Sequence, residues 1–328
     1  MQAVMFDSVT TLADGYGALE LREVKRPVPG PGEVLVQLAR ASINPGDFLF
    51  VSELYPEPRK PAYPQIAGTH GAGYVVECGD GVAIAPGTLV YFGYYPAWTE
   101  YSLVRAADVV VLPSDYPLEK AAQFLNQITA WDLLDRANVQ PGQFIALTGG
   151  NSTVATMVTQ FARQRGVRSI SIVRKPQQDL RALGADAVLE HGDALLPNLD
   201  ALLRGSDGLH AVIDCVGGSL LSALVQRLAL GGRAIIYGGY DTAKFELHNF
   251  DVLMRDVTIQ AYIYRFFFEA PAASDRPLLQ QIIDATAGDD FVVPLGSLHA
   301  LADFRTALDA TLATPERGKR FLTFSDAR

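Results

Sequence analysis

Residues 147 to 166, LTGGNSTVATMVTQFARQRG, set out an apolar strand, a short polar turn and an amphipathic helix in the order a phosphate-binding loop uses. Asn151 and Ser152 are good helix N-cap residues, and the first amides of a helix have no partner within it. Those N–H groups coincide with the positive end of the helix dipole, so the turn can hold an anion such as a pyrophosphate. The G-x-G-x-x-G/A fingerprint of such turns is incomplete here. After Gly149 and Gly150, Thr153 and Ala155 stand where further glycines are expected. Ala155 adds one methyl at the helix–sheet contact. The branched Cβ of Thr153 keeps a pyrophosphate from the backbone, with the hydroxyls of Ser152 and Thr153 as partial compensation. Taken alone, the turn suits a bound phosphate and plain strand–loop–helix packing equally well.

One βαβ unit later, RSISIVRK ends in Arg174 and Lys175. A protein specific for NAD carries an acidic residue there for the ribose 2′-hydroxyl, whereas arginine accommodates a 2′-phosphate. The pair points to NADPH, against the bland alternative of two solvated cations at a strand end. A second kind of chemistry is offered by Tyr55 in INPGDFLFVSELYPEPRKP. A phenol with a pKa of about 10 is protonated at neutral pH and can donate to a developing oxyanion without tuning. On residue chemistry alone, a packing tyrosine in a proline-rich loop is the simpler reading.

The elements that must position these groups fall into two regimes. The first third is β-rich: EVLVQLARASI, GYVVECG and TLVYFGY are separated by PGPGE, NPGD, YPEPRKP and APG, which are turn signals. From about residue 120, helical patterns alternate with the short apolar runs QFIALTG, RSISIVR, DAVLE, HAVIDCV, RAIIYGG and VTIQAYIY, which implies βαβ units and a mostly parallel sheet. Val154, Met157, Val158, Phe161 and Ala162 form a buried helix stripe, and Gly166 supplies the stop. The chain closes on GKRFLTF, a final strand. The expected architecture is α/β: a doubly wound parallel sheet over 122–265, inserted into a β-rich domain of 1–121 and 266–328. Ligands of such sheets bind at the carboxyl ends of the strands, at the topological switch point.

With 328 residues, 49% of them hydrophobic, the chain can bury two cores. A net charge of −9 excludes a nucleic-acid backbone as a natural partner. No apolar run reaches the length of about 18 residues that spans a bilayer, and MQAVMFDSVT does not read as a secretory signal. The two cysteines, Cys78 and Cys215, do not make a disulfide framework. A cytoplasmic protein that binds a small molecule, without nucleic acid or membrane, is expected.

Several stretches together resemble the zinc-free medium-chain dehydrogenase/reductase superfamily: PGPGEVLVQLARASINPGD, IAGTHGAGYVVECGDGV, the central βαβ unit and the GK before the last strand. The resemblance covers about residues 32 to 324. Within the superfamily the chain is most like the 2-enoyl thioester reductases, which also use an Asn-Ser turn, and next like NADPH:quinone oxidoreductases. It implies a GroES-like catalytic domain beside a Rossmann domain, NADPH as cofactor and a homodimer. Cofactor contacts are implied for Asn44, Asn126, Thr129, Asn151, Ser152, Thr153, Val154, Arg174, Lys175 and His191. They are implied also for Tyr237, Gly238, Gly239, Tyr240, Tyr262, Ile263, Tyr264 and Lys319. Trp98 and Trp131 are implied substrate-cleft residues, and Tyr55 the catalytic donor. Where zinc enzymes of the superfamily carry Gly-His-Glu, this chain has Gly68-Thr69-His70, and INPGD replaces their first cysteine, so no metal is expected.

What the resemblance implies chemically is reduction of a carbon–carbon double bond conjugated to a carbonyl. Hydride goes to the β carbon, charge gathers on the carbonyl oxygen, and preorganised donors stabilise it by about 3 kcal/mol each. Reduction of a quinone is the alternative. A non-catalytic nucleotide-binding homologue is a further one, favoured by Thr153, Ala155 and Glu53, a carboxylate two residues from Tyr55. The aromatic YIYRFFFEA suits a core, an interface or an apolar pocket. Arg59, Lys60 and Arg265 are candidates for coenzyme A phosphates, or are simply solvated.

Overall fold

The computed structural model describes residues 1–324, which gather into two compact units: Met1–Leu125 with the chain from Phe266 onward, and Asn126–Arg265. In the first unit, a sheet runs in the order Leu295–Ala300, Lys319–Thr323, Glu33–Ser42, His70–Cys78, Leu89–Gly93 and Val110–Val111, with Tyr101–Arg105 also paired to Glu33–Ser42. Val34, Leu35, Val36 and Leu38 of the central strand have 0% exposure. A strand covered on both faces reads as a nearly continuous apolar run rather than an alternating one. Val4, Phe6, Ile43, Phe92, Trp98 and Leu322 lie in the core packed around it.

Strand register gathers the polar residues of this unit. Glu33–Ser42 pairs antiparallel with both neighbours, matching Ala41 to Gly71 and Ser42 to Phe321. The segment leaving Ser42, the turn entering His70 and the start of the last strand are therefore neighbours. From Ser42 the chain enters a short helix, Pro45–Val51. Pro45 suits the first helical position, where a missing N–H costs nothing. Asp47, in the first turn, accepts the Asn44 N–H at 2.8 Å.

The second unit is a parallel sheet of six strands: β1 Phe144–Leu147, β2 Arg168–Val173, β3 Ala187–Glu190, β4 Leu209–Asp214, β5 Leu228–Ile236 and β6 Thr258–Ala261. Their order is β3-β2-β1-β4-β5-β6, with every neighbouring pair parallel. The order reverses between β1 and β4, which makes their carboxyl ends the switch point. Helix α1 (Phe124–Ala137) precedes β1, and α2 (Thr153–Gln164) follows it.

In α2, Met157, Val158, Phe161 and Ala162 are buried as their spacing demands, but so are Ala155, Thr156, Thr159 and Gln160, while Val154 is only partly covered. The buried face is thus wider than the apolar stripe, because a helix lying on a parallel sheet is enclosed on its flanks too. Met157 and Phe161 each contribute about 1.5–3 kcal/mol by leaving water. Gly166, at φ 67°, ends the helix, and Val167 N–H closes back on the Ala162 carbonyl at 2.9 Å. Among the described residues no helix is long and apolar enough to cross a membrane. Both cysteines are free.

Candidate functional site

The turn after β1 is held from beneath by a buried carboxylate. Thr148 Oγ1 donates to Asp214 Oδ1 at 2.6 Å and accepts Cys215 N–H at 3.0 Å, while Asp214 also accepts Gly217 N–H at 2.9 Å. This ties the ends of β1 and β4 together at the switch point. Burial pushes the Asp214 carboxyl up, and the hydrogen bonds it accepts oppose the shift. Ser152 caps α2, its Oγ accepting Ala155 N–H at 3.2 Å. By helix geometry the amides of Thr153 and Val154 have no partner within α2. The Tyr237 hydroxyl hydrogen-bonds the side chains of Cys215 and Ser152, so the chain leaving β5 supports the turn from the other side.

The other residues expected around a nucleotide divide into two groups. The Arg174 guanidinium stands 5.9 Å from the centre of the Tyr240 ring, joining the ends of β2 and β5. Lys175 and His191 are exposed, and His191 is placed by its N–H to the Val173 carbonyl at 2.7 Å. Gly238 packs against Cys215, where an added Cβ would come within 3.0 Å of the cysteine Cβ. Gly239 and Ile263 are exposed, and Tyr264 is half-buried. Asn126 and Thr129 are buried on α1. The Tyr262 hydroxyl donates to Asp132 at 3.1 Å and bonds Thr129, and Asp132 also takes both arms of Arg265. Arg265 is therefore committed to an ion pair at 2.6 Å rather than simply solvated.

In the first unit a polar cluster surrounds Asp47, which is 1% exposed. Its Oδ1 accepts both the backbone N–H and the hydroxyl of Thr69, at 2.9 and 2.7 Å. Lys319 Nζ donates to Asn44 Oδ1 at 3.0 Å and to the Ile43 carbonyl at 3.2 Å, and Asn44 Nδ2 donates to Ser42 Oγ at 2.9 Å. Desolvation raises Asp47 to about 6 and lowers Lys319 to about 8, with the charge of each opposing the shift of the other.

Tyr55 lies against this cluster. An added Cβ on Gly46 would sit 2.6 Å from the Tyr55 hydroxyl oxygen, so the phenol rests directly over that glycine. Burial, then the Asp47 charge, pushes the phenol well above its ordinary range; it is a donor at any working pH. Its ring meets Phe267 edge-on at 5.1 Å, Phe267 meets Tyr94 at 5.6 Å, and Tyr94 meets His70 at 4.8 Å. Arg59 lies 4.0 Å over the Tyr94 ring and donates to the Phe267 carbonyl at 2.5 Å, so it is a clamp on this aromatic wall. Buried His70 holds Tyr91 at 2.8 Å, and burial lowers it to about 3, leaving it neutral. Glu53, at φ 55°, is taken up by the Tyr63 hydroxyl.

Four further residues expected at the site are placed as follows. Trp98 is 1% exposed in the core of its unit and is packed against Gly68, so its ring offers no face to a ligand. Trp131 meets Phe161 at 5.3 Å and lies under Arg165 at 4.2 Å, near the carboxyl end of α2; at 1.5 Å rise per residue that is about 12 Å along the helix from Thr153. Asn44 and Lys319 are buried against each other and act as an internal strut. Sequence reasoning overlooked Asp214, Thr148, Tyr94 and Phe267. Contacts between segments far apart in the chain bring them to these places, and no local spacing signals it.

Two family models match the chain: an alcohol dehydrogenase GroES-like domain over residues 30–114 and a zinc-binding dehydrogenase model over 153–281. The chain belongs to the medium-chain dehydrogenase/reductase superfamily. Among curated proteins it is similar to mitochondrial enoyl-[acyl-carrier-protein] reductase of Xenopus tropicalis, at 28% identity over 88% of this chain and 87% of that one. Among solved structures it is similar to Escherichia coli quinone oxidoreductase complexed with NADPH, with a TM-score of 0.83 and 21% identity over 98% and 100% of the two chains. It is similar also to the Etr1p/NADP/crotonyl-CoA complex, with a TM-score of 0.84 and 19% identity over 98% and 99%. These likenesses establish the fold: a Rossmann unit and a GroES-like unit. Among the described residues of this member, no three His, Cys, Asp or Glu side chains are grouped to hold a metal. Thr69 and His70 are engaged by Asp47 and Tyr91 instead.

Proposed function

We propose that the chain is an NADPH-dependent reductase of a carbon–carbon double bond activated by a carbonyl, an enoyl thioester or enone. The observation that carries this reading is the permanently protonated Tyr55 hydroxyl, seated over Gly46 beside a wall of aromatic rings. The curated relative named an enoyl reductase and the solved relatives with NADPH or NADP bound support it.

Apart from the Thr153 Cβ, which narrows the approach to the turn, the residues present fit the dinucleotide. The α2 amides of Thr153 and Val154 would take its pyrophosphate and Arg174 with Lys175 its 2′-phosphate, the Tyr240 ring holding the Arg174 guanidinium from behind. When bound, the reduced nicotinamide supplies the hydride. Tyr55 donates a hydrogen bond to the substrate's carbonyl oxygen, where negative charge collects as the β carbon is reduced. With a phenol held so far above its ordinary range, the better description is a hydrogen-bond donor than a group that surrenders its proton. The α carbon then takes its proton from water. Phe267, Tyr94 and the neutral His70 exclude water from the oxyanion and so strengthen the Tyr55 bond.

Turnover of NADPH with a crotonyl thioester, an alkyl enone and a quinone tests the reading. Consumption with the thioester or enone is expected, and an NADPH-binding preparation that turns over none of the three refutes it. The aromatic rings of Phe267 and Tyr94, set edge to face beside Tyr55, favour a second reading, in which a quinone is the preferred substrate. We also propose a homodimer formed at the edge strand β6, beside exposed Phe250, Leu253 and Met254. The two free thiols suit a reducing compartment such as the cytosol.

A further inference from the structure

The Asn-Ser turn and the Arg174-Lys175 strand end lie on different elements, and one side chain fastens them. Asn151 Nδ2 donates to the Lys175 carbonyl at 2.8 Å, and Asn151 Oδ1 accepts Gln177 N–H at 3.4 Å. From the far side, Gln178 Nε2 donates to the Asn151 carbonyl at 3.0 Å. Both ends of the carboxamide and the residue's own carbonyl therefore face the segment 175–178. Beyond β2, that segment has no regular secondary structure through Gln178. These three bonds tie the backbone that carries the two cations to the turn. The next residue in the chain, Ser152, is the cap of α2.

We infer that Asn151 is the positioning residue that sets the nucleotide preference: it fixes Arg174 and Lys175 relative to the α2 amides, and so selects a dinucleotide with a 2′-phosphate. This rests on the NADPH reading above and changes the role expected for Asn151, from touching the cofactor to aligning the groups that do. A dinucleotide must meet both anchor points at once. The pyrophosphate end is held by α2, whose geometry does not depend on the Asn151 side chain, because Ser152 supplies the cap. The 2′-phosphate end depends on where the 174–178 backbone runs. Loss of the carboxamide leaves α2 as it is and frees the cation-bearing segment, so binding of the 2′-phosphorylated nucleotide falls and binding of the other does not.

The test is calorimetric or fluorescence titration of the full chain with NADPH and with NADH, which needs no turnover. For Asn151→Ala, Kd for NADPH should rise about tenfold, as expected from the loss of one to two hydrogen bonds, with Kd for NADH changed less than about twofold. In an Arg174→Ala/Lys175→Ala background the same substitution should leave the ratio of the two constants unchanged, since there is nothing left to align. Equal weakening of both nucleotides, or an undiminished effect in that background, overturns the inference. Gln178→Met removes one of the three bonds without touching the turn and guards against a folding defect in Asn151→Ala. A smaller shift of the ratio in the same direction supports the inference, and an unchanged ratio counts against it. Wild-type protein that binds NADPH no better than NADH overturns this inference and the cofactor reading together. A clear wild-type preference that survives Asn151→Ala overturns the inference alone.

Discussion

Gly46→Ala tests the placement of the Tyr55 hydroxyl without touching it. Gly46 is in the first turn of the helix Pro45–Val51 and is not one of the glycines with positive φ. Alanine is favoured over glycine in helices by about 1 kcal/mol, so the substitution should not impair the backbone. The new Cβ, however, would stand 2.6 Å from the Tyr55 hydroxyl oxygen and 3.7 Å from Cζ, where ordinary contact begins at 3.4 Å. The hydroxyl must retreat by about 0.8 Å, against a ring confined by Phe267. A displacement of about 1 Å in an aligned catalytic group costs up to about a hundredfold in rate. We expect kcat to fall about ten- to a hundredfold with little change in KM, in steady-state assays with a crotonyl thioester. Tyr55→Phe should cause a loss of similar size. In that background Gly46→Ala should add nothing, because the oxygen it collides with is gone. Unchanged kcat in the single variant, or full additivity in the double, refutes the placement of Tyr55 over Gly46 as the functional geometry.

Lys319→Met should cost about 3 kcal/mol near neutral pH by urea unfolding, leaving the Ile43 carbonyl and Asn44 Oδ1 without their donor. The pH dependence has a definite sign. Asp47 is raised, so its contribution to stability is complete below its unfolded value and is lost as pH rises through about 6. Lys319 is lowered, so its contribution is complete above its unfolded value and is lost as pH falls through about 8. Removing the cation raises Asp47 further, so the destabilisation should be greatest above pH 6 and shrink towards acid; a deficit that does not vary with pH contradicts the coupling. Arg174→Ala should weaken NADPH binding about ten- to a hundredfold and spare NADH, read by titration; equal effects on both remove it from the 2′-phosphate site. Leu253→Asp, at a side chain 69% exposed in the monomer, should shift sedimentation from dimer to monomer, and an unchanged dimer places the contact elsewhere.

The parallel sheet is legible because its central strands are buried on both faces and stand out as apolar runs between helical patterns. All six of the runs read as strands in the second unit overlap one, although the fifth strand begins five residues earlier, at Leu228. The N-cap at Ser152 was equally plain, since capping is local chemistry. Asn151 has the chemistry of a second cap, but its side chain reaches to Lys175, 24 positions on, and no local rule contains that distance. The same holds for Thr148 and Asp214, 66 positions apart, and for Phe267 beside Tyr55. Trp98 and Trp131 show the converse. A large aromatic residue matches a pocket and a core equally well in a sequence, and burial of the first and the far-end position of the second are properties of packing. Tyr94 adopts φ 60°, a conformation that nothing in its own identity foretells.

The nucleotide turn also shows what a glycine fingerprint measures. An added Cβ on Gly149 would reach Cys215 Sγ at 2.8 Å, and one on Gly150 would reach Ser171 Cβ at 2.9 Å. Glycine persists where neighbours already occupy the volume, whereas Thr153 and Ala155 begin a helix that takes their side chains. Surveys that recognise such proteins by a fixed string of letters will pass over this chain and any like it. Within the turn, a survey keyed to crowding, asking where a methyl group could not be accommodated, would mark these two positions.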